Sequence, residues 1–187
     1  TNTAIHRYMN QKKVPQLYVA TGASKWGKPK EFPWTMGFQP DYHTEAVIYA
    51  KHILANHKDA KIAVLMQNDD YGKDYWGGFQ EGLGKDIGKV VKHVTYETTD
   101  PTVDSQIIQL KDSGANVFFN IAIPKFAAQA IRKLRRERRR AQQVVSQHEQ
   151  AHHRSHLGHA AYGHSQQASV ARLRVDQFGR CRALLVD

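Results

Sequence analysis

Short apolar runs alternate with amphipathic helical patterns along residues 42–133, and this alternation limits the possible folds more than any other feature. The segments KIAVLMQ (61–67) and ANVFFNIAI (115–123) are apolar almost throughout, which predicts strands buried on both faces of a parallel sheet. KVVKHVTYE (89–97) predicts a further strand. Because a helical pattern separates each strand from the next, the sequence predicts an α/β fold with a doubly wound parallel sheet.

The helical patterns place apolar side chains on one face of each predicted helix. The inward residues are predicted to include Tyr75, Phe79 and Leu83 in the second helix and Val103, Ile107 and Leu110 in the third. The first helix is predicted over YHTEAVIYAKHILANH (42–57), and the second lies within NDDYGKDYWGGFQEGLG (68–84), with Gly84 as its C-cap. The third lies within DPTVDSQIIQLKDSG (100–114), and the fourth begins at Pro124. Ligands bind at the carboxyl ends of the strands in such sheets, so the loops after the strands are where we expect a site.

The basic residues change in kind near Arg132. Residues 1–132 contain 14 Lys and 2 Arg, whereas residues 133–187 contain 1 Lys and 10 Arg. The net charge is +3 before the change (16 basic less 13 acidic) and +7 after it (11 basic less 4 acidic). No buried strand of useful length is evident after the change, and no Gly or Pro lies where the next strand and helix would need one. We therefore expect residues 134–187 to be a poorly structured, basic, His-rich tail, and we suspect a shift of reading frame near residues 132–135.

The tail contains two patterns that suggest other functions. His148-Glu149-Gln150-Ala151-His152 fits the H-E-x-x-H pattern of zinc hydrolases, but six histidines fall within residues 148–164 and the third ligand of the pattern is missing. The arginines of residues 135–140 could form a nucleic-acid-binding stripe, but no aromatic side chains are interleaved with them. A zinc hydrolase and a nucleic-acid-associated protein therefore remain as alternatives, and an incidental basic tail is favoured over both.

Several motifs occur in an order and at a spacing typical of one protein family. The segments VPQLYVATGAS, FPWTMGFQPDYHTEAVIYAKHIL, KIAVLMQNDDYGKDYWGGFQEGL and DPTVDSQIIQLKDSGANVFFNIAIPKFAAQAIRK follow one another within residues 1–133. Together they resemble the leucine/isoleucine/valine-type periplasmic substrate-binding proteins of ABC transporters. The resemblance implies part of a two-lobe type I periplasmic-binding-protein fold that closes on its ligand. It also implies that residues 1–41 belong to the first lobe and first hinge crossover, and residues 42–133 to the front half of the second lobe, with the rest of the first lobe preceding Thr1.

The resemblance also assigns ligand-binding residues. In the GAS turn, Ala23 and Ser24 match the residues that hold the ligand α-carboxylate, and a turn of small residues does expose N–H donors. Tyr71 matches an aromatic residue of the second lobe that closes over the ligand, and Ala122 stands where some members have an aromatic residue. The acid that pairs with the ligand ammonium in the family has no evident match.

Two further groups of residues have simpler interpretations. Asp69 and Asp70 are adjacent, so their side chains point apart, and N-capping is favoured over metal binding. Trp26, Trp34 and Trp76 are interpreted as packing residues, with Trp26 the best candidate to line a cleft.

The function implied by the resemblance is that of a solute-binding component, truncated here, of an ABC importer. The ligand would be a branched-chain, hydrophobic or aromatic amino acid or a related carboxylate, and the partner would be a membrane permease. We expect a periplasmic location, no enzymatic activity, no cofactor and no bound nucleic acid. We also expect this chain to bind such a ligand weakly or not at all.

Overall fold

The computed structural model describes residues 2–159 and 182–186, and the side chains of residues 2–143. The predicted elements occur in the predicted order, with ends that differ by a few residues, and two short 3-10 turns (Ser24–Gly27 and Gly84–Lys89) were not predicted. The helices and strands are α1 Asn2–Gln11, β1 Gln16–Val19, β2 Thr35–Gly37, α2 Tyr42–Asn56, β3 Ile62–Gln67, α3 Asp70–Leu83, β4 Val90–Tyr96, α4 Asp104–Lys111, β5 Val117–Ile121, α5 Pro124–His159 and β6 Arg182–Val186.

A parallel sheet in the order β4-β3-β5-β6 forms the centre of the fold. β3 pairs with β4 on one side and with β5 on the other, so the three predicted strands are adjacent. The α/β fold predicted from the alternation is therefore confirmed. Because the strands run in the same direction, their carboxyl ends share one edge, where the loops after Gln67 and Ile121 lie.

Both faces of the sheet are covered by helices, which explains the continuous apolar runs of the central strands. On one face α2 and α3 pack against alternate residues of β3 and β5, and on the other face α4 and α5 pack against the residues between them. The apolar residues predicted to point inward from α3 and α4 are all buried: Tyr75, Phe79, Leu83, Val103, Ile107 and Leu110. Burying one such large side chain contributes about 1.5–3 kcal/mol.

The first 41 residues form a smaller unit around a second, two-stranded parallel sheet of β1 and β2. The register of this pairing shifts between Gln16 and Val19, and β1 covers only Gln16–Val19 of the run VPQLYVA. Leu17, Tyr18 and Phe38 are exposed on this unit. Val19, Ala23 and Trp26 form its small core, which packs against Tyr42 at the start of α2.

Side-chain caps begin two of the helices. The Asp41 carboxylate accepts from the Thr44 N–H at 2.8 Å, and the Asp69 carboxylate accepts from the Gly72 N–H at 3.1 Å. The N-capping interpretation of Asp69 is therefore correct. Gly84 ends α3 with a φ of 50°, a left-handed conformation that a side chain would disfavour.

The chain after residue 133 is more regular than expected. α5 continues to His159, as the high helix propensity of Arg, Ala, Glu and Gln allows. Arg182–Val186 then pairs in parallel with β5, a strand that the sequence pattern did not indicate. The short run RALLV is apolar enough to extend the sheet beside β5. Within residues 2–159 and 182–186, no helix combines the length and the apolar character needed to cross a lipid bilayer.

Candidate functional site

Hydrogen bonds join the carboxyl ends of three strands. The N–H of Ile123, just after β5, donates to the Tyr96 hydroxyl oxygen at 3.2 Å, and that hydroxyl donates to Oε1 of Gln67 at 2.8 Å. Nε2 of Gln67 donates to the Asp69 carboxylate at 2.6 Å. Burial raises the pKa of Tyr96 to about 12, so its hydroxyl remains a donor at neutral pH. The network holds the loop between β3 and α3, where the predicted site begins.

Three tyrosines pack beside this loop, and we call them the tyrosine cluster: Tyr42, Tyr71 and Tyr75. The Tyr42 and Tyr75 rings stack with centroids 4.9 Å apart, and the Tyr71 ring stands edge-on to both, at 5.0 Å from Tyr42 and 5.2 Å from Tyr75. The Tyr75 hydroxyl donates to the Glu45 carboxylate. Burial raises the pKa of Tyr71 and of Tyr75 well above the usual value, so both phenols stay neutral. The cluster forms a rigid aromatic wall.

The GAS turn, residues 22–24, lies against the tyrosine cluster. The Tyr42 N–H donates to the Gly22 carbonyl at 2.7 Å, and a Cβ at position 22 would lie 2.6 Å from the Tyr42 ring. Only glycine therefore fits between the turn and the ring. This contact brings the small N-terminal unit and the start of α2 together. The Tyr42 ring contacts both the turn and the Tyr71 ring.

Ser24, the predicted carboxylate holder, binds a carboxylate of the protein itself. Its N–H donates to Oδ2 of Asp74 at 2.8 Å, and its hydroxyl donates to Oδ1 of Asp74 at 3.1 Å. Asp74 lies one turn into α3 and 50 residues from Ser24 in the chain. Sequence reasoning missed Asp74 because nothing in the local pattern DDYGKDY distinguishes its role from that of a solvated helix residue.

A second contact joins the same two segments. The Lys25 ammonium donates to the Asp70 carboxylate at 2.7 Å and to the Thr3 hydroxyl at 3.0 Å. The hydrogen bond from Lys25 holds the pKa of Asp70 below its usual value. Asp70 and Asp74 are four residues apart on one face of α3. The adjacent residues Ser24 and Lys25 therefore contact two carboxylates that lie one helical turn apart.

The structure places Ala122 apart from the other predicted ligand-binding residues. Ala122 is buried and packs with Tyr96 and Phe126 on the face of the sheet covered by α4 and α5. Tyr71 packs against the opposite face. Ala122 and Tyr71 therefore share the carboxyl edge of the sheet but contact different clusters.

A cavity of about 400 Å³ lies beside the GAS turn, between it and β2. Ala23 and Trp26 line it, together with Met36 and Gly37, whereas Ser24, Tyr71 and Ala122 do not. The interpretation of Trp26 as a residue that lines a cleft agrees with this position. Trp26 is 4% exposed and also packs against His6, with ring centroids 4.7 Å apart, so it serves in the core of the N-terminal unit as well.

The alternative motifs lie on α5. All five arginines of residues 135–140 are exposed, and Arg140 donates to Glu137 at 3.1 Å. The side chains of the HEQAH segment lie outside the described residues. In the part of the chain that the structure describes, no group of three or more His, Cys, Asp or Glu side chains could hold a metal ion.

A family model described as "Periplasmic binding protein" matches residues 1–168 of this chain. No match was found among curated proteins. Similar solved structures include a periplasmic binding protein from Burkholderia mallei, with 16% identity over 71% of this chain and 35% of that chain and a TM-score of 0.62. A possible leucine/isoleucine/valine-binding protein from Rhodopirellula baltica has 20% identity over 73% of this chain and 38% of that chain, with a TM-score of 0.58.

A third similar structure is an ABC transporter solute binding protein from R. palustris in complex with 4-hydroxybenzoate. It has 22% identity over 65% of this chain and 32% of that chain, with a TM-score of 0.55. The chain therefore spans about a third of the length of the solved proteins that it resembles. The similarity to these structures confirms the predicted type of fold, and the match of the family model over most of the chain shows that the chain belongs to the periplasmic binding protein family.

Proposed function

We propose that this chain is part of the solute-binding component of an ABC importer and that its ligand carries a carboxylate on an apolar or aromatic body. The proposed ligand-binding residues are Ala23 and Ser24 in the GAS turn, Tyr71 on α3, and Ala122 at the carboxyl end of β5. It would act in the periplasm as a binding protein, not an enzyme, and deliver its ligand to a membrane permease.

The observation that carries this proposal is the geometry of Ser24. One amide and one hydroxyl of the same residue donate to the two oxygens of one carboxylate, at 2.8 Å and 3.1 Å. The turn is therefore shaped to accept a carboxylate, which is the group that the family resemblance assigns to this position. Hydrogen bonds to a charged acceptor contribute about 1.5–3 kcal/mol each, more than bonds between neutral groups.

The tyrosine cluster supports the second part of the proposal. Tyr71 is half-buried, so one part of its ring is open to a ligand while the rest packs on Tyr42 and Tyr75. A flat, neutral, preorganised ring near a carboxylate holder suits a ligand with an apolar or aromatic body. The R. palustris protein of similar fold was solved with 4-hydroxybenzoate, a ligand of this kind.

Calorimetric titration of the full chain tests the proposal, with 4-hydroxybenzoate, phenylalanine and leucine as probes. Because the chain spans about a third of the length of the solved relatives, we expect weak binding, with dissociation constants above about 0.1 mM. Tyr71→Ala removes the aromatic wall, and we expect it to weaken the binding roughly tenfold.

Tyr8→Ala is the matched control. Tyr8 is an exposed tyrosine of α1, and its ring lies 5.8 Å from the Lys12 ammonium, so this substitution should leave the affinity unchanged. If Tyr71→Ala and Tyr8→Ala have the same effect, or if none of the three probes binds, the proposed ligand class is wrong.

A further inference from the structure

Ser24 has two hydrogen-bond donors, its amide and its hydroxyl, and both are directed at Asp74. Well-formed hydrogen bonds of this length require a nearly linear donor, so a second carboxylate cannot share both donors at full strength. Any ligand carboxylate that uses Ser24 must therefore displace the side chain of Asp74.

The contact is not a loose surface encounter. Ser24 and Asp74 are part-buried, and the neighbouring, more exposed pair of Lys25 and Asp70, 2.7 Å apart, joins the same two segments. The Tyr42 ring fixes the turn from the other side through the Gly22 carbonyl. Asp74 is thus presented to Ser24 by elements that are already in place, which reduces the entropy lost when the contact forms.

We propose that Asp74 is an internal competitor for the carboxylate site at Ser24, and that its charge lowers the affinity of this site for a carboxylate ligand. The inference deepens the proposed function and rests on it for the identity of the natural ligand. A displaced Asp74 would remain close to the incoming anion, and like charges repel. Ligand binding is therefore opposed both by the loss of the hydrogen bonds between Ser24 and Asp74 and by this repulsion.

A plain carboxylate is the clearest probe, because removal of Asp74 both vacates the donors and removes the repulsion. An amino acid is less suitable, since its ammonium group would gain a partner in Asp74 while its carboxylate competes with it. For a plain carboxylate we expect Asp74→Ala to increase the affinity roughly tenfold to a hundredfold, the range expected from hydrogen bonds to a charged group.

The experiment compares the melting temperature of the full chain in sodium acetate and in sodium chloride at equal ionic strength. We expect acetate to raise the melting temperature of Asp74→Ala and to leave the wild-type chain unchanged, because acetate fills the place that the substitution vacates. The matched control is Asp112→Ala, which removes an exposed acid after α4, near the opposite edge of the sheet. An equal acetate effect in Asp74→Ala and Asp112→Ala would overturn the inference.

Two further variants identify the position of the acetate and guard against misfolding. Ser24→Ala/Asp74→Ala lacks the hydroxyl donor, so its response to acetate should be smaller than that of Asp74→Ala, and an undiminished response would contradict the inference. Asp74→Asn keeps an oxygen that can accept from Ser24 and so preserves the contact without the charge. It should bind 4-hydroxybenzoate more tightly than the wild-type chain, and equal binding would also overturn the inference.

The acetate measurement separates this inference from the proposed function. An acetate effect specific to Asp74→Ala, with no binding of 4-hydroxybenzoate, phenylalanine or leucine to any form, would support the competitor and contradict the proposed ligand class. Binding of 4-hydroxybenzoate that depends on Tyr71 but is identical in wild type and Asp74→Asn would support the ligand class and contradict the competitor.

Discussion

The close contact between α2 and α3 depends on Gly78. A Cβ at this position would lie 2.1 Å from the carbonyl oxygen of His43 on α2, whereas a Cβ at the neighbouring Gly77 would meet only the His43 ring, at 3.7 Å. Both glycines lie within the same helix. Gly77→Ala and Gly78→Ala therefore form a matched pair that differs only in what the new methyl group contacts.

The structure gives the size of the expected difference. Replacing a mid-helix Gly by Ala stabilises the helix by about 0.5–1 kcal/mol, and this contribution is common to both variants. Atoms in contact prefer separations of about 3.5–4.0 Å, so Gly78→Ala must move α2 away from α3 by more than about 1 Å. The His43 carbonyl oxygen belongs to the backbone of α2, so it cannot move aside as a flexible side chain could. Overpacking of this kind costs about 1–3 kcal/mol. We expect Gly77→Ala to be as stable as the wild-type chain or more stable. We expect Gly78→Ala to be less stable than Gly77→Ala by about 1–3 kcal/mol.

Urea unfolding followed by circular dichroism measures this difference, and thermal unfolding should show a gap of roughly 2–12 °C between the two variants in a chain of this size. Gly78→Ala should also weaken ligand binding, because α2 and α3 hold Tyr42 against Tyr71. Equal stability of the two variants would show that the packing distance between α2 and α3 does not depend on Gly78.

The remaining stability predictions concern Glu137, a buried carboxylate that accepts hydrogen bonds from Lys111 of α4 and Arg140, both at 3.1 Å, and lies 3.4 Å from the Lys133 ammonium. Glu137→Gln should lower the free energy of unfolding at pH 7 by about 1–3 kcal/mol, whereas Glu81→Gln, at an exposed acid, should change it little. The hydrogen bond from Lys111 lowers the pKa of Glu137 below 4.5 in the folded state, so its stabilisation is present above pH 4.5 and is lost as the pH falls through the lowered pKa. Urea unfolding at pH 7 and pH 3 checks both, and a loss that is the same at the two pH values would contradict them.

Much of the α/β unit was predictable from the sequence because its strands are buried on both faces. β3 and β5 are apolar throughout except for Gln67 and Asn120. They could therefore be predicted as strands without knowing which of their faces points inward. The inward residues of α3 and α4 followed from spacing alone. β1 covers only part of the run VPQLYVA, and Leu17 and Tyr18 are exposed on its two-stranded sheet, so burial there does not follow from the sequence pattern.

The candidate site was less predictable because its contacts join distant parts of the chain. The resemblance predicts that Ser24 holds a carboxylate, but Asp74 lies 50 residues away and its contact with Ser24 depends on how α3 faces the turn. The hydrogen bonds of Gln67 and Tyr96 could have been suspected, since both residues end a strand at the same edge of the sheet. Ala122 packs on the face of the sheet opposite to Tyr71. Predicting this would have required knowledge of the register of β5 in the sheet.

The composition and the structure place a shift of reading frame at different positions. The composition changes near Arg132, whereas the contacts of the structure continue past this position. Within the run RRERRR the single acid is Glu137, and it is the residue that faces α4 and binds Lys111, while all five arginines of the run are exposed. An arbitrary sequence would have no reason to place its one acid opposite a lysine of the preceding helix. The family model also continues to residue 168, beyond the compositional change. We therefore propose that any shift of reading frame lies after codon 137, and the coding DNA, translated in all three frames, tests this: a family-like continuation in another frame that begins before codon 137 would contradict it.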